Sequence, residues 1–217
     1  MKEKHIQARI DQCLRNAELS TCPRRKFGAM LIDPPTNSII ADGYNGPARG
    51  EDGGFCAGSF CERDGFLPER AMIDQGCRKG EILEIQVHYG ETQRVQAWTI
   101  GDSEEAVRAE AREWIAQMAE KHPPAKSGTH MEKGCHHAES NAIANACRRG
   151  ASTEGAWLIV TGEPCELCAK LIHHCGITRV VVVRGGYVGG DAGVIYLQKY
   201  GVKVDYVDGP QDPRMNP

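Results

Sequence analysis

The sequence predicts an α/β fold, one sheet with helices on its faces and largely parallel strands. Two observations predict it. Over the last third of the 217 residues, strand-like and helix-like segments alternate regularly. One of those strands holds the unbroken apolar run Val180 to Val183, the pattern of a strand covered on both sides. At roughly 100–200 residues per domain, the length suits a single domain spanning 1–217 with an insertion at about 50–131.

The elements follow in order. Lys4 to Leu19 places Ile6, Ile10, Cys13, Leu14 and Ala17 near a helical period. Gly28 to Ile32 and Ser38 to Ala41 read as short strands joined by the turn Asp33-Pro34-Pro35-Thr36-Asn37. Gly43 to Gly54, rich in glycine, reads as a shaped loop. Ile82 to Ile100 reads as a hairpin around Gly90-Glu91. Ser103 suits the N-cap of a helix through Lys121, with Glu104 and Glu105 in its first turn and His122-Pro123-Pro124 as its stop. Then come helix His137 to Arg149 ended by Gly150, strand Ala156 to Thr161, helix Glu163 to Cys175 ended by Gly176, and strand Arg179 to Val183. Helix Ala192 to Tyr200 and strand Val202 to Val207 close the series.

Composition excludes several function classes. With 26 basic against 29 acidic residues and a net charge of -3, the chain offers no basic arm for nucleic acid. Four Phe and three Trp make no stacking platform either. No apolar run approaches the ~18–20 residues of a membrane span, and Met1 to His5 lead into an amphipathic pattern without a signal peptide's apolar stretch. The expected location is cytoplasmic, with no nucleic-acid or membrane partner. In that reducing compartment ten cysteines point to metal ligands rather than disulfides. Cys13, Cys147 and Cys175 sit in apolar helical contexts and are expected to act as small buried hydrophobes.

The strongest motif is His137-Ala138-Glu139 with Pro164-Cys165-Glu166-Leu167-Cys168 downstream. One imidazole and two thiolates make a three-ligand zinc site with a fourth position for water; a structural zinc would normally have four protein ligands. His137 lies near one helix start, and Cys165 and Cys168 lie at another. Two such N-termini can converge on one ion, and their positive ends favour thiolates. Glu139 lies too close to His137 to be expected as a co-ligand and is better placed to carry a proton from the water to a leaving amine. The combined spacing is that of zinc nucleobase deaminases.

Four segments carry a family resemblance: Thr21-Cys22-Pro23-Arg24-Arg25-Lys26-Phe27-Gly28-Ala29, Gly43-Tyr44-Asn45-Gly46, His137 to Ile143, and Thr161 to Lys170. Together they resemble the deoxycytidylate (dCMP) deaminase family of the cytidine-deaminase-like superfamily, over residues 5–50 and 130–207. The resemblance implies a three-layer α/β/α fold with a central mixed sheet of about five strands, here with an inserted hairpin-helix segment. It implies hydrolysis of dCMP to dUMP for thymidylate supply. By matching position it gives His137, Cys165 and Cys168 to the catalytic zinc and the acid–base role to Glu139. In the family, the asparagine and glycines of the Gly-Tyr-Asn-Gly loop close over the nucleotide. Asn45 can bond a sugar hydroxyl, with Gly46 and Ala138 as further substrate contacts. Arg24, Arg25, Lys26 and Arg49 flank these segments as candidate cations for the 5′-phosphate, or as ordinary solvated residues.

Phage-type and competence-operon-type members of the family have a similar second cysteine cluster. Here Cys22, Cys56, Cys61 and either Cys135 or His130 match it, implying a second, structural zinc; Cys77, His122 and His136 are possible substitutes. The family also implies a homo-oligomer, hexamer or dimer, activated by dCTP and inhibited by dTTP. Arg148 is a candidate effector contact, or simply a cation stabilising a helix C-terminus. Two alternatives remain: a deaminase of another or modified cytosine nucleotide or nucleoside, and a catalytically silent nucleotide-binding zinc protein. Glu139 argues against the latter, since a pure binder has no use for that carboxylate.

Overall fold

The connection Pro34–Asn37 is too short for a crossover, so the strands it joins must pair antiparallel. Gly28–Asp33 (β1) and Ser38–Tyr44 (β2) do so, with Asp33 accepting the Thr36 N–H and Asn37 in left-handed conformation at φ 59°. The computed structural model describes residues 3–22, 25–47, 56–57, 60–61, 65–66, 82–86, 92–96, 113, 115–123, 135–184 and 191–209. The chain forms two compact units: residues 1–20, 25–46 and 136–217 make the first, and residues 21–24 and 47–135 the second.

The first unit holds helix Glu3–Ala17 (α1), β1 and β2, and the α/β series of the last third. In the second unit Cys56–Ala57 (β3), Phe60–Cys61 (β4) and Gly65–Phe66 (β5) form a small antiparallel sheet, and Ile82–Gln86 (β6) pairs with Thr92–Gln96 (β7) as a hairpin. Residues 115–121 are helical. Most of the helix expected over 103–121 lies outside the described residues.

The series in the first unit comprises helix Ala138–Arg148 (α2), strand Trp157–Val160 (β8), helix Glu166–His174 (α3), strand Arg179–Arg184 (β9), helix Asp191–Lys199 (α4) and strand Lys203–Asp208 (β10). Gly150 and Gly176 end α2 and α3 with left-handed backbone, at φ 67° and 71°. The five-stranded sheet has the order β10-β9-β8-β1-β2. The first three strands run parallel; β1 is antiparallel to both β8 and β2. The sheet is therefore mixed. The expectation of largely parallel strands holds only for the βαβ half, because the β1–β2 hairpin fixes the other.

Side-chain alternation builds the layers. Met30, Ile32, Ile159, Val181 and Val183 pack with Ile10 and Cys13 of α1 on one face. Ala29, Leu31, Leu158, Val160, Val180 and Val182 face residues of α2, α3 and α4 on the other. Burying β9 on both faces explains its four consecutive valines. Cys13 is a wholly buried small hydrophobe, as expected, and burial pushes its thiol pKa up. Cys175 is half-buried, but Cys147 is exposed. It follows buried Ala146 in the last turn of α2, where the helix turns the next position outward. The loop expected from Gly43 begins later, because β2 extends through Tyr44.

Candidate metal centre

Both ligand-bearing helices begin at one end of the sheet. Gly28 pairs with Tyr44 at the end of β2, and the Thr161 N–H beyond β8 donates to the Gly28 carbonyl at 3.0 Å. At that end the chain leaves β2 and β8 on either side of the start of β1, and between β8 and β1 parallel pairing gives way to antiparallel. Open sheets form ligand sites outside strand ends at such a switch point.

His137 is the N-cap of α2 and Cys165 the N-cap of α3, both with extended backbone. His137 Nδ1 lies 3.5 Å from Cys165 Sγ and 3.5 Å from Cys168 Sγ. All three ligand atoms fall within 4.8 Å of one another, and they form the one such group among the described residues. Zinc bonded at about 2.1 Å to nitrogen and 2.3 Å to sulfur in a tetrahedron would separate those atoms by about 3.6 Å. The donor set and its spacing therefore fit zinc. His137 is exposed and Cys168 buried, so the group opens on the histidine side. The Cys165 thiol is lowered to about 4, first by its hydrogen bond with the Cys168 thiol and then by His137 and the Cys168 N–H, against burial. Cys168 is pushed up as the partner keeping the shared proton, and by burial.

Glu139, in the first turn of α2, is 8% exposed. Burial pushes its carboxyl pKa up, against the lowering pull of its own backbone N–H and of His137. A buried carboxyl beside the ligands, readily protonated, is suited to carrying a proton.

The Gly43-Tyr44-Asn45-Gly46 segment braces the start of α2. A Cβ on Gly43 would collide with the Ala142 nitrogen and lie 2.6 Å from the Ala138 oxygen, so glycine lets the helix rest on β2. Asn141 and Asn145 donate to the Tyr44 and Asp42 carbonyls at 2.8 and 2.7 Å. Gly46 and His136 exchange both backbone hydrogen bonds, fixing the residue before His137. The buried Asn45 amide accepts from the Phe27 N–H at 2.7 Å and donates to the Arg25 carbonyl at 2.9 Å. Lys26 Nζ pairs with Glu18 at 3.2 Å, and Ala138 is buried. Arg148 is exposed in the last turn of α2, away from the ligands at its first. Arg24, Arg49 and His130 lie outside the described residues.

In the second unit, Cys56 and Cys61 stand opposite each other across β3 and β4. Cys22 and Cys61 are buried and Cys135 half-buried.

The family model described as the cytidine and deoxycytidylate deaminase zinc-binding region matches residues 3–184. The chain belongs to this deaminase family. A protein named deoxycytidylate deaminase from Enterobacteria phage T4 is 34% identical over 165 residues, covering 75% of this chain and 68% of that one. ComE operon protein 2 of Bacillus subtilis (strain 168) is 27% identical over 161 residues, covering 74% of this chain and 49% of that one. A crystal structure of dCMP deaminase from the cyanophage S-TIM5, in complex with dCMP and dUMP, superposes with a TM-score of 0.56 at 21% identity. It covers 95% of this chain and 99% of that one, and the likeness shows the shared deaminase fold.

Sequence reasoning missed several contributors to this deaminase site. Thr161 Oγ1 accepts the Gly28 N–H at 2.9 Å, and Glu163 accepts the Tyr206 hydroxyl at 3.0 Å. Gly193 of α4 presses on Pro164. Among these, only a glycine inside a helix left a visible signal.

Proposed function

We propose that this chain is a zinc-dependent dCMP deaminase, converting dCMP and water to dUMP and ammonia. The observation that carries the reading is the His137–Cys165–Cys168 group with buried Glu139 beside it. Support also comes from the identity to a phage protein named deoxycytidylate deaminase. In this reading His137, Cys165 and Cys168 hold the catalytic zinc. When bound, zinc supplies the acidity that makes water a nucleophile near neutral pH. Glu139 takes one proton from the attacking water and delivers it to the ring nitrogen, then takes the second from the hydroxyl left on C4 and delivers it to the departing amine. A C4–O bond forms, the C4–N bond breaks, and ammonia leaves.

Lys26, Gly46 and Arg49 are assigned as nucleotide contacts, with Lys26 exchanging Glu18 for the 5′-phosphate. Asn45 and Ala138 are assigned as further nucleotide contacts. The reading also includes one domain over 1–217 with an insertion at about 50–131, a cytoplasmic homo-oligomer, and regulation by dCTP and dTTP through contacts such as Arg148. A second, structural zinc is assigned to Cys22, Cys56, Cys61 and Cys135 or His130. The pairing of Cys56 with Cys61 and the burial of Cys22 and Cys61 support it.

The direct test is turnover of dCMP in ¹⁸O-labelled water. The reading expects one labelled oxygen in dUMP per ammonia released; dCMP left unchanged by zinc-loaded protein contradicts it.

A further inference from the structure

Glycine inside a helix is disfavoured relative to alanine, because ordering its backbone costs more entropy. Gly193 nonetheless sits buried in the first turn of α4. The reason is steric. A Cβ there would overlap the Pro164 carbonyl oxygen and lie 2.9 Å from the carbonyl carbons of both Pro164 and Cys165. All three atoms are backbone, so no side-chain rotation relieves the overlap. Either α4 or the 161–165 loop must move.

β10 holds the same loop at a second point. Tyr206 donates its hydroxyl to Glu163 Oε1 at 3.0 Å, and the Arg184 guanidinium lies 4.5 Å from the centre of its ring. The Cys165 sulfur in turn accepts the Cys168 N–H. A shift at 164–165 therefore propagates to both sulfurs.

We propose that Gly193 and Tyr206 are positioning residues for the metal centre, reaching it from α4 and β10 through Pro164 and Glu163. This rests on the zinc reading above. Gly193 fixes how close α4 approaches the loop, and Tyr206 fixes the residue before Pro164. Direct hydrogen-bond partners of metal ligands change metal affinity by about 10- to 100-fold when removed, which sets the scale for contacts acting through the ligand loop.

The test compares wild type, Gly193→Ala, Tyr206→Phe and a core control, Ile10→Ala, in α1 on the opposite face of the sheet. Zinc release to excess chelator and the thiolate charge-transfer spectrum of the cobalt(II) form are measured beside the melting temperature. The expected result is release about tenfold or more faster in Gly193→Ala and several-fold faster in Tyr206→Phe, with shifted cobalt spectra. Ile10→Ala should melt earlier yet keep the wild-type release rate and spectrum. Release at the wild-type rate in both positioning variants, or release that merely follows melting temperature across all three, overturns the inference alone. Should Gly193→Ala not fold, Tyr206→Phe decides by the same readouts, since it removes one hydroxyl and adds no bulk. A wild type holding no zinc at this group, or a Cys165→Ser variant holding it as tightly as wild type, overturns the zinc reading and this inference with it.

Discussion

Replacing Glu139 with glutamine isolates the proton-carrying role from packing. The side chain is 8% exposed, and glutamine preserves its shape, whereas alanine would leave a cavity. A positioned acid–base group contributes about 10²–10⁴-fold. Because burial keeps bulk water from standing in for the carboxyl, the upper part of that range is expected. That upper part, about 10³–10⁴-fold, corresponds to roughly 4–5 kcal/mol of barrier. Glu139 is not a member of the ligand group, so zinc content should stay at the wild-type level. Burial disfavours its charged form, so the neutral amide should not lower the melting temperature. The assay follows loss of the cytosine absorbance band of dCMP, with elemental analysis and a thermal melt on the same preparation. Activity within tenfold of wild type, or zinc lost together with activity, would refute the reasoning.

Cys168→Ser should remove catalytic zinc and turnover together, since two protein ligands remain; wild-type zinc content in that variant would contradict the ligand assignment. Replacing Cys56 and Cys61 together with serine should lower zinc from two ions per chain to one and lower the melting temperature, as elemental analysis and calorimetry would show. One zinc in wild type, unchanged in that double variant, removes the second site and leaves the first. Gly43→Ala forces α2 off β2 and should cost about 1–3 kcal/mol. At about 2–4 °C per kcal/mol for a chain of this size, the melting temperature should fall by roughly 2–12 °C, and no fall would mean that the close approach carries no energy.

What was legible in the sequence is local. The valines of β9 announce a strand buried twice, and Gly150 and Gly176 mark where α2 and α3 stop. His137 with Glu139, and Cys165 with Cys168, are each a few residues apart, so one helix start displays each pair and short spacing reveals them. The antiparallel half of the sheet was written only in the shortness of Pro34–Asn37. Asn45 was visible as a loop residue, but its bonds to the backbone of residues 25–27 depend on how β1 and β2 meet. Gly193 and Tyr206 act on the metal loop from 28 and 41 residues after Cys165, through contacts that leave no periodic trace. Cys147 looked like a core residue because its neighbours are apolar, but its fate turned on helical phase.

The central claim is that the group at the starts of α2 and α3 deaminates a cytosine nucleotide carrying a 5′-phosphate. Its most direct test is kcat/KM for dCMP beside deoxycytidine, CMP and dCTP on one zinc-loaded preparation, with ammonia release measured in each case. The account predicts that dCMP is turned over far more efficiently than deoxycytidine, with dUMP and ammonia formed in equal amounts. Equal efficiency on the nucleoside, or no turnover of dCMP at full zinc occupancy, would contradict it.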